Sequence, residues 1–150
     1  MNTALTVVVI VTIVALSLPT TLALRYTVHN TKVQFFEAWT QCINNGGYLA
    51  SSETAYEQAA IVSAIQKSGA PSSEGWWLSG TDEGMEGSWI WLSRNVPVAI
   101  VGGYTNWAST EPNNVGGAEN CLITGIDSSF KWYDKPCDNT YYYVCEYYSA

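Results

Sequence analysis

Hydrophobic and polar positions divide the chain sharply. The first 23 residues carry no charged side chain, and Ala4 to Leu18 is an almost unbroken apolar run closed by Pro19 and the small residues Thr20 to Ala23. The run is shorter than the ~20 residues of a membrane span. Residues 1–23 therefore read as a secretory signal peptide cleaved after Ala23, and residues 24–150 as one domain long enough to bury its own core. Beyond the leader the period changes from element to element. Tyr26-Thr27-Val28 alternates like a short strand. From Gln34, the residues Phe35, Phe36, Trp39, Cys42 and Ile43 recur as the stripe of an amphipathic helix, which Asn44-Asn45-Gly46-Gly47 stops. Tyr48-Leu49-Ala50 is a brief strand. Thr54 with Glu57 forms a capping box, and Ile61, Val62 and Ile65 line one face of a second helix that ends at Lys67-Ser68-Gly69. Both helices are scaffold.

After Pro71 the pattern is that of strands. Trp76-Trp77-Leu78 and Trp89-Ile90-Trp91-Leu92 are aromatic runs too short for helices, and Asn120 to Ile126, Phe130 to Asp134 and Tyr141 to Tyr147 follow. Two early helices followed by strands at hairpin spacing predict an antiparallel α+β domain in which the last strand packs with the first. Trp77, Trp89 and Trp91 are expected in the core; Trp107, beside the loop that leads to Glu111, is open between core packing and stacking on a sugar ring. His29, the one histidine, reads as a strand surface residue.

Charge narrows the partners. All 13 acidic and 6 basic residues lie beyond the leader, so the mature domain keeps the net charge of −7. Such a surface repels phosphate backbones and anionic lipids, which argues against nucleic acid and membrane as partners. Four cysteines, Cys42, Cys121, Cys137 and Cys145, point to two disulfides in an oxidising compartment, with three pairings open. No Cys-x-x-Cys or paired histidine supports a zinc site.

The chemistry concentrates late in the chain. Glu111-Pro112-Asn113, Glu119-Asn120-Cys121 and Trp132-Tyr133-Asp134 bring carboxylates and an amide into a Gly/Pro/Asn-rich loop and its neighbouring strand. Those are the hard oxygens that calcium takes. A second acidic segment, Thr81 to Gly87 with Asp82, Glu83 and Glu86, reads as a solvated hairpin turn. The carboxylates of Glu111, Glu119 and Asp134 resemble a glycosidase acid/base set only superficially: three in one shallow loop hold a cation more readily than they adopt split pKa values. With no histidine beyond His29, the sequence argues against a Ser-His-Asp hydrolase too. The domain is read as no enzyme.

Glu-Pro-Asn, a Glu-x-Cys at fixed offset, and Trp-x-Asp shortly before another Cys resemble the carbohydrate-recognition domain of C-type lectins, in the sub-pattern associated with mannose-type sugars, over roughly Tyr26 to Tyr147. The resemblance implies a C-type lectin-like α+β fold with two helices, antiparallel strands and a long loop region, stapled by Cys42–Cys145 and Cys121–Cys137. It implies a Ca2+ ion held by Glu111, Asn113, Glu119 and Asp134, with the Asp134 carbonyl and a cis bond before Pro112. Sugar hydroxyls would complete the coordination, touched by Glu111, Asn113, Glu119, Tyr133 and Asp134. A second calcium site would use Asp82, Glu86, Asn114 and Asn120, less charged than usual because the family often has Asp at the last two positions. One residue departs: Tyr133 stands where the family places an Asn that ligates metal and touches sugar. The implied function is a secreted lectin for glycans with equatorial 3- and 4-hydroxyls (mannose, glucose, N-acetylglucosamine), gaining avidity through multivalency and recognising microbial sugars in innate defence. The alternative is a calcium-independent protein-binding or ice-binding module on the same fold.

Overall fold

Both ends of the domain meet in one strand pair. In the computed structural model, which describes residues 23–100 and 102–149, strand β1 (Ala23–Val33) runs antiparallel to the last strand, β8 (Tyr141–Ser149), from Ala23 opposite Ser149 to Val33 opposite Tyr141. The expected leader lies outside the described residues except for Ala23. Between the two come α1 (Phe35–Asn44), β2 (Tyr48–Leu49), α2 (Ala55–Lys67), β3 (Gly75–Thr81), β4 (Ile90–Trp91), β5 (Val96–Pro97), β6 (Cys121–Gly125) and β7 (Trp132–Lys135). The sheet order is β1-β8-β3-β4-β5, with β2 added on β8, β6 on β3, and β7 on β6. The expectation of an antiparallel sheet needs one correction. β3 and β8 are parallel neighbours, Trp76 opposite Tyr142 and Trp77 opposite Tyr143, so the sheet is mixed. Parallel strands need a long crossover, and the whole stretch from β3 to β8 supplies it.

Strand β3 is buried along its whole length because both of its faces are covered. Alternate side chains serve two cores. Trp76 and Leu78 join Leu122, Phe130, Trp132 and Val144 beneath Ile61 and Ile65 of α2. Trp77 joins Ile123, Tyr143 and Leu49 beneath Phe35, Ala38 and Cys42 of α1. Trp89 and Trp91 are core residues as expected, and Trp107 packs against the first cluster half-buried. The stripe on α1 is narrower than its sequence suggests: Phe36 is 46% and Ile43 42% exposed, since each sits one residue, about 100° of helix, beyond a buried position. At the start of α2 the Thr54 hydroxyl accepts the Glu57 N–H at 3.1 Å, while the Glu57 carboxylate turns back to the Glu53 N–H at 2.8 Å.

The two disulfides pair Cys42 with Cys145 and Cys121 with Cys137. The first closes 103 residues and ties α1 to β8; the second closes 16 and ties β6 to the turn after β7. In the chain-entropy picture they contribute about 4.7 and about 3 kcal/mol.

Two buried polar clusters were not foreseen. The Gln58 side chain uses all four of its hydrogen-bonding positions. Its Oε1 accepts from Ser52 Oγ and Trp132 Nε1, both at 2.9 Å, and its Nε2 donates to Thr124 Oγ1 at 3.2 Å and the Phe130 carbonyl at 3.1 Å. Fully buried Glu146 accepts Arg94 through both oxygens, at 3.1 and 3.0 Å, and the Ser51 N–H at 3.0 Å; Arg94 reaches on to Glu53 and Glu57. Burial pushes the Glu146 carboxyl up and the Arg94 guanidinium pulls it back. Removing one partner of a buried ion pair strands the other charge. Arg94→Met is therefore expected to cost about 3 kcal/mol in urea unfolding, at the low end because the Arg94 side chain is 20% exposed, and adding Glu146→Gln should restore part of the loss.

Candidate functional site

The site grows out of strand β7 and the loop that faces it. Trp132 is wholly buried, edge-on to Trp91, Tyr104 and Trp107 at 5.4, 5.6 and 5.7 Å between ring centroids. Its backbone holds the loop as well. The Trp132 N–H donates to the Asn106 carbonyl and the Ala108 N–H to the Trp132 carbonyl, each at 2.9 Å. Two residues on, and so on the same face, comes Asp134, fully buried. Its Oδ1 accepts the Asn113 N–H at 3.2 Å and its Oδ2 the Asn114 N–H at 2.7 Å. The loop can offer those amides because it turns tightly. The Glu111-Pro112 bond is cis, and Thr110, Asn114, Gly116 and Gly117 take left-handed backbone conformations.

Asn113 Nδ2 donates to Glu111 Oε1 at 2.8 Å, which draws the first and third residues of Glu-Pro-Asn together. Glu111 Oε2 is buried without a hydrogen-bond partner. Glu119, nearly buried, accepts the Val115 N–H at 3.0 Å on Oε2 and Lys135 Nζ at 3.2 Å on Oε1, while its own N–H donates to Asn114 Oδ1 at 3.0 Å. Tyr133 is half-buried against the α1-side core, and its hydroxyl donates to Asp127 Oδ2 at 2.8 Å.

The residues expected at a second metal site are less convergent. Asp82 is 3% exposed; its Oδ2 accepts the Gly87 N–H at 2.7 Å and its Oδ1 is buried without a partner. Asn120 Nδ2 donates to Glu83 at 3.1 Å, so Glu83 is the carboxylate that meets it, while Glu86 is exposed. The Asp82 carboxyl is pushed up by burial, pulled back by the Gly87 N–H, and pushed up again by the charges of Glu86 and Asp134.

Among the described residues, no three Asp, Glu, His or Cys side chains converge in a metal-holding group. Glu119 turns to Lys135 and Asp134 to backbone amides. The donor chemistry nevertheless fits a hard cation: buried carboxylate oxygens at Glu111 and Asp82 lack partners, and oxygen is what calcium binds. Sequence reasoning missed Lys135, Glu83 and Asp127. Lys135 carries no signal in the sequence: it meets Glu119 through the β6–β7 register, in which Cys121, two residues after Glu119, opposes Lys135.

A family model described as "Lectin C-type domain" matches residues 31–147. The fruit-fly (Drosophila melanogaster) protein "C-type lectin 37Da" is 33% identical over 129 residues, covering 81% of this chain and 66% of that protein. The carbohydrate-recognition domain of cow CD23, solved in the presence of GlcNAc2Man3 oligosaccharide, superposes with a TM-score of 0.69 at 28% identity, over 85% of this chain and 89% of that one. A calcium-independent type II antifreeze protein shares the fold alone, with a TM-score of 0.69 at 24% identity, over 91% of this chain and 98% of that one. The chain spans between 21% and 66% of the length of the curated relatives it matches.

Without metal, burial pushes the Glu111 carboxyl up to about 7, reinforced by the Asp134 carboxylate, which accepts a hydrogen bond from the protonated acid and repels the ionised one. Its folded pKa then exceeds its ordinary value of 4.5. Between those two values the folded state holds more proton than the unfolded, so this group's contribution to stability is present below pH 4.5 and declines as pH rises toward 7. Melting curves in chelator at pH 5 and pH 7.5 should show that decline, and Glu111→Gln should flatten it.

Proposed function

This chain belongs to the C-type lectin domain family, and we propose that it is a secreted, non-enzymatic, calcium-dependent lectin preferring mannose-type sugars. One observation carries the reading: the Asn113 amide donates to one oxygen of Glu111 while the other oxygen of that carboxylate is buried without a partner. The loop thus presents an acceptor and a donor side by side next to an oxygen that calls for a cation. Glu111, Asn113, Glu119 and Asp134 would hold calcium with side-chain oxygens, and the Asp134 carbonyl would add another. Bound calcium supplies open coordination positions for two adjacent hydroxyls, since it takes six to eight oxygens.

Specificity follows from the order of the two end residues. Each sugar hydroxyl has one hydrogen to give and lone pairs to accept with, so Glu111 takes a hydrogen from one and Asn113 gives a hydrogen to the other. Glu before Asn suits equatorial 3- and 4-hydroxyls, as in mannose, glucose and N-acetylglucosamine. The likeness to a CD23 domain solved with a mannose-containing oligosaccharide supports this choice. Tyr133, occupied with Asp127 and half-buried, lends an aromatic flank in place of an amide ligand. A second calcium would draw on Asp82, Glu86, Asn114 and Asn120, with the unpartnered Asp82 Oδ1 as its strongest support and Glu83 within the same turn. Recognition of microbial glycans, with oligomers for avidity, completes the proposal.

A second reading, a calcium-independent protein-binding or ice-binding module, is favoured by one feature: the Glu119–Lys135 ion pair and the amides on Asp134 satisfy two of the three carboxylates without metal. Chelator separates the two. On the lectin reading, the protein elutes from immobilised mannose with chelator, and calcium at a hundredfold excess over Kd raises unfolding stability by about 2.7 kcal/mol. No retention on mannose in calcium, together with a melting curve that calcium leaves unshifted, favours the second reading.

The substitutions are directional. Tyr133→Asn is expected to restore an amide ligand and tighten both calcium and mannose binding in calorimetry, by about 1 to 3 kcal/mol at most. Glu111→Gln with Asn113→Asp should turn preference toward galactose. A wild-type protein that binds galactose better than mannose contradicts the orientation argument.

A further inference from the structure

We propose that Lys135 is a tethered counter-cation of the calcium site, which competes with the metal for Glu119 and organises the loop in its absence. The inference rests on the calcium-dependent reading above. Three observations carry it. Lys135 Nζ lies 3.2 Å from Glu119 Oε1, and this is no loose surface contact, for the two side chains are 22% and 8% exposed. The other Glu119 oxygen accepts the Val115 N–H, so with the ammonium present both oxygens of this carboxylate are engaged and the 115–119 turn is fastened to β7. The strand ladder favours the approach: Cys121 opposes Lys135, and Glu119 lies just before β6, two residues from that cysteine and diagonal to the lysine.

The other cations for which contacts are described are used elsewhere. Arg94 is held by Glu53, Glu57 and Glu146, Lys32 by Glu74, Lys131 by the Asn106 amide, and Arg25 lies over the Tyr147 ring. Lys135 is the one that meets the carboxylates of the Glu111–Asp134 site. Its charge also reaches Glu111, where it opposes the effect of burial.

The consequence for a dication follows from Coulomb's law. A unit positive charge a few ångströms from a divalent ion lowers its binding constant roughly tenfold even at the dielectric constant of water. Calcium therefore either shares Glu119 with the ammonium against that repulsion or drives it out to solvent, which the flexible lysine stem permits. In both cases Lys135 weakens calcium and keeps the metal-free loop from losing its fastening. A family scaffold thereby acquires a calcium affinity set by one residue outside its ligand set.

The test is calorimetric titration of the mature protein with calcium chloride alone, beside melting curves in chelator, for wild type, Lys135→Met and Lys135→Arg. The expected result is a calcium Kd roughly tenfold lower for Lys135→Met, a melting temperature in chelator lower by about 3 °C, and wild-type behaviour for Lys135→Arg. Calcium binding by Lys135→Met with none measurable in wild type is the same result in stronger form. If wild type binds calcium and Lys135→Met binds it within twofold as well, the inference is overturned and the calcium reading stands. If neither protein binds calcium, the calcium reading fails and the competition fails with it. A Lys135→Arg protein that follows Lys135→Met in both measurements also overturns the inference, since charge would not be the cause.

Discussion

A single buried amide couples the helical side of this domain to its loop side. Gln58 stands on α2, yet three of its four hydrogen bonds reach β6, β7 and the turn between them, and the fourth reaches the segment before the helix. A side-chain amide buried with every position matched is worth keeping mainly because the unmatched alternative is so costly: each orphaned partner would lose about 1 to 3 kcal/mol. Trp132 can point its ring nitrogen inward only because Gln58 is there to accept it. With that ring fixed, the backbone of Trp132 is free to pair with Asn106 and Ala108, and Asp134 arrives under the loop that carries Glu111. Position of the site thus descends from a residue that takes no part in it.

Electrostatics then decides what the site does with its position. Glu111, Glu119 and Asp134 are brought close in a chain whose net charge is already −7, and each finds a different remedy. Asp134 turns to two loop amides, Glu119 to Lys135, and Glu111 to the Asn113 side chain on one oxygen only. The uneven distribution of remedies is what leaves an unpaired buried oxygen at Glu111, and Asp82 on the 81–87 turn carries another.

Much of this was legible in the sequence where a local rule applied. The helix starting beside Phe35, the cap at Thr54, the glycine stop at Gly46 and the burial of Trp77, Trp89 and Trp91 all follow from period, capping and bulk. The Glu-Pro-Asn turn was legible as a motif, and Asn113 does face Glu111. What escaped was non-local. Parallel pairing of β3 with β8 depends on strands more than sixty residues apart, and no periodicity within either one announces it. Arg94 on Glu146, Tyr133 on Asp127 and Lys135 on Glu119 are choices of partner, made by register and turn geometry, and a list of charged residues does not contain them. Tyr133 shows the limit best: the sequence marks it as a departure from a motif, and only the fold reveals the carboxylate that occupies its hydroxyl.

The tryptophans at the base of the loop have an optical consequence. Trp107 lies 4.9 Å from Trp89 and 5.7 Å from Trp132, ring centre to ring centre, with the rings steeply crossed, and Trp107 is the member carried by the loop itself. Indoles that close exchange excitation, so their near-ultraviolet dichroism and emission belong to the cluster and not to any one ring. Any movement of the loop that shifts Trp107 changes that shared signal. The protein carries its own dye, placed between the sheet and the loop that leads to Glu111.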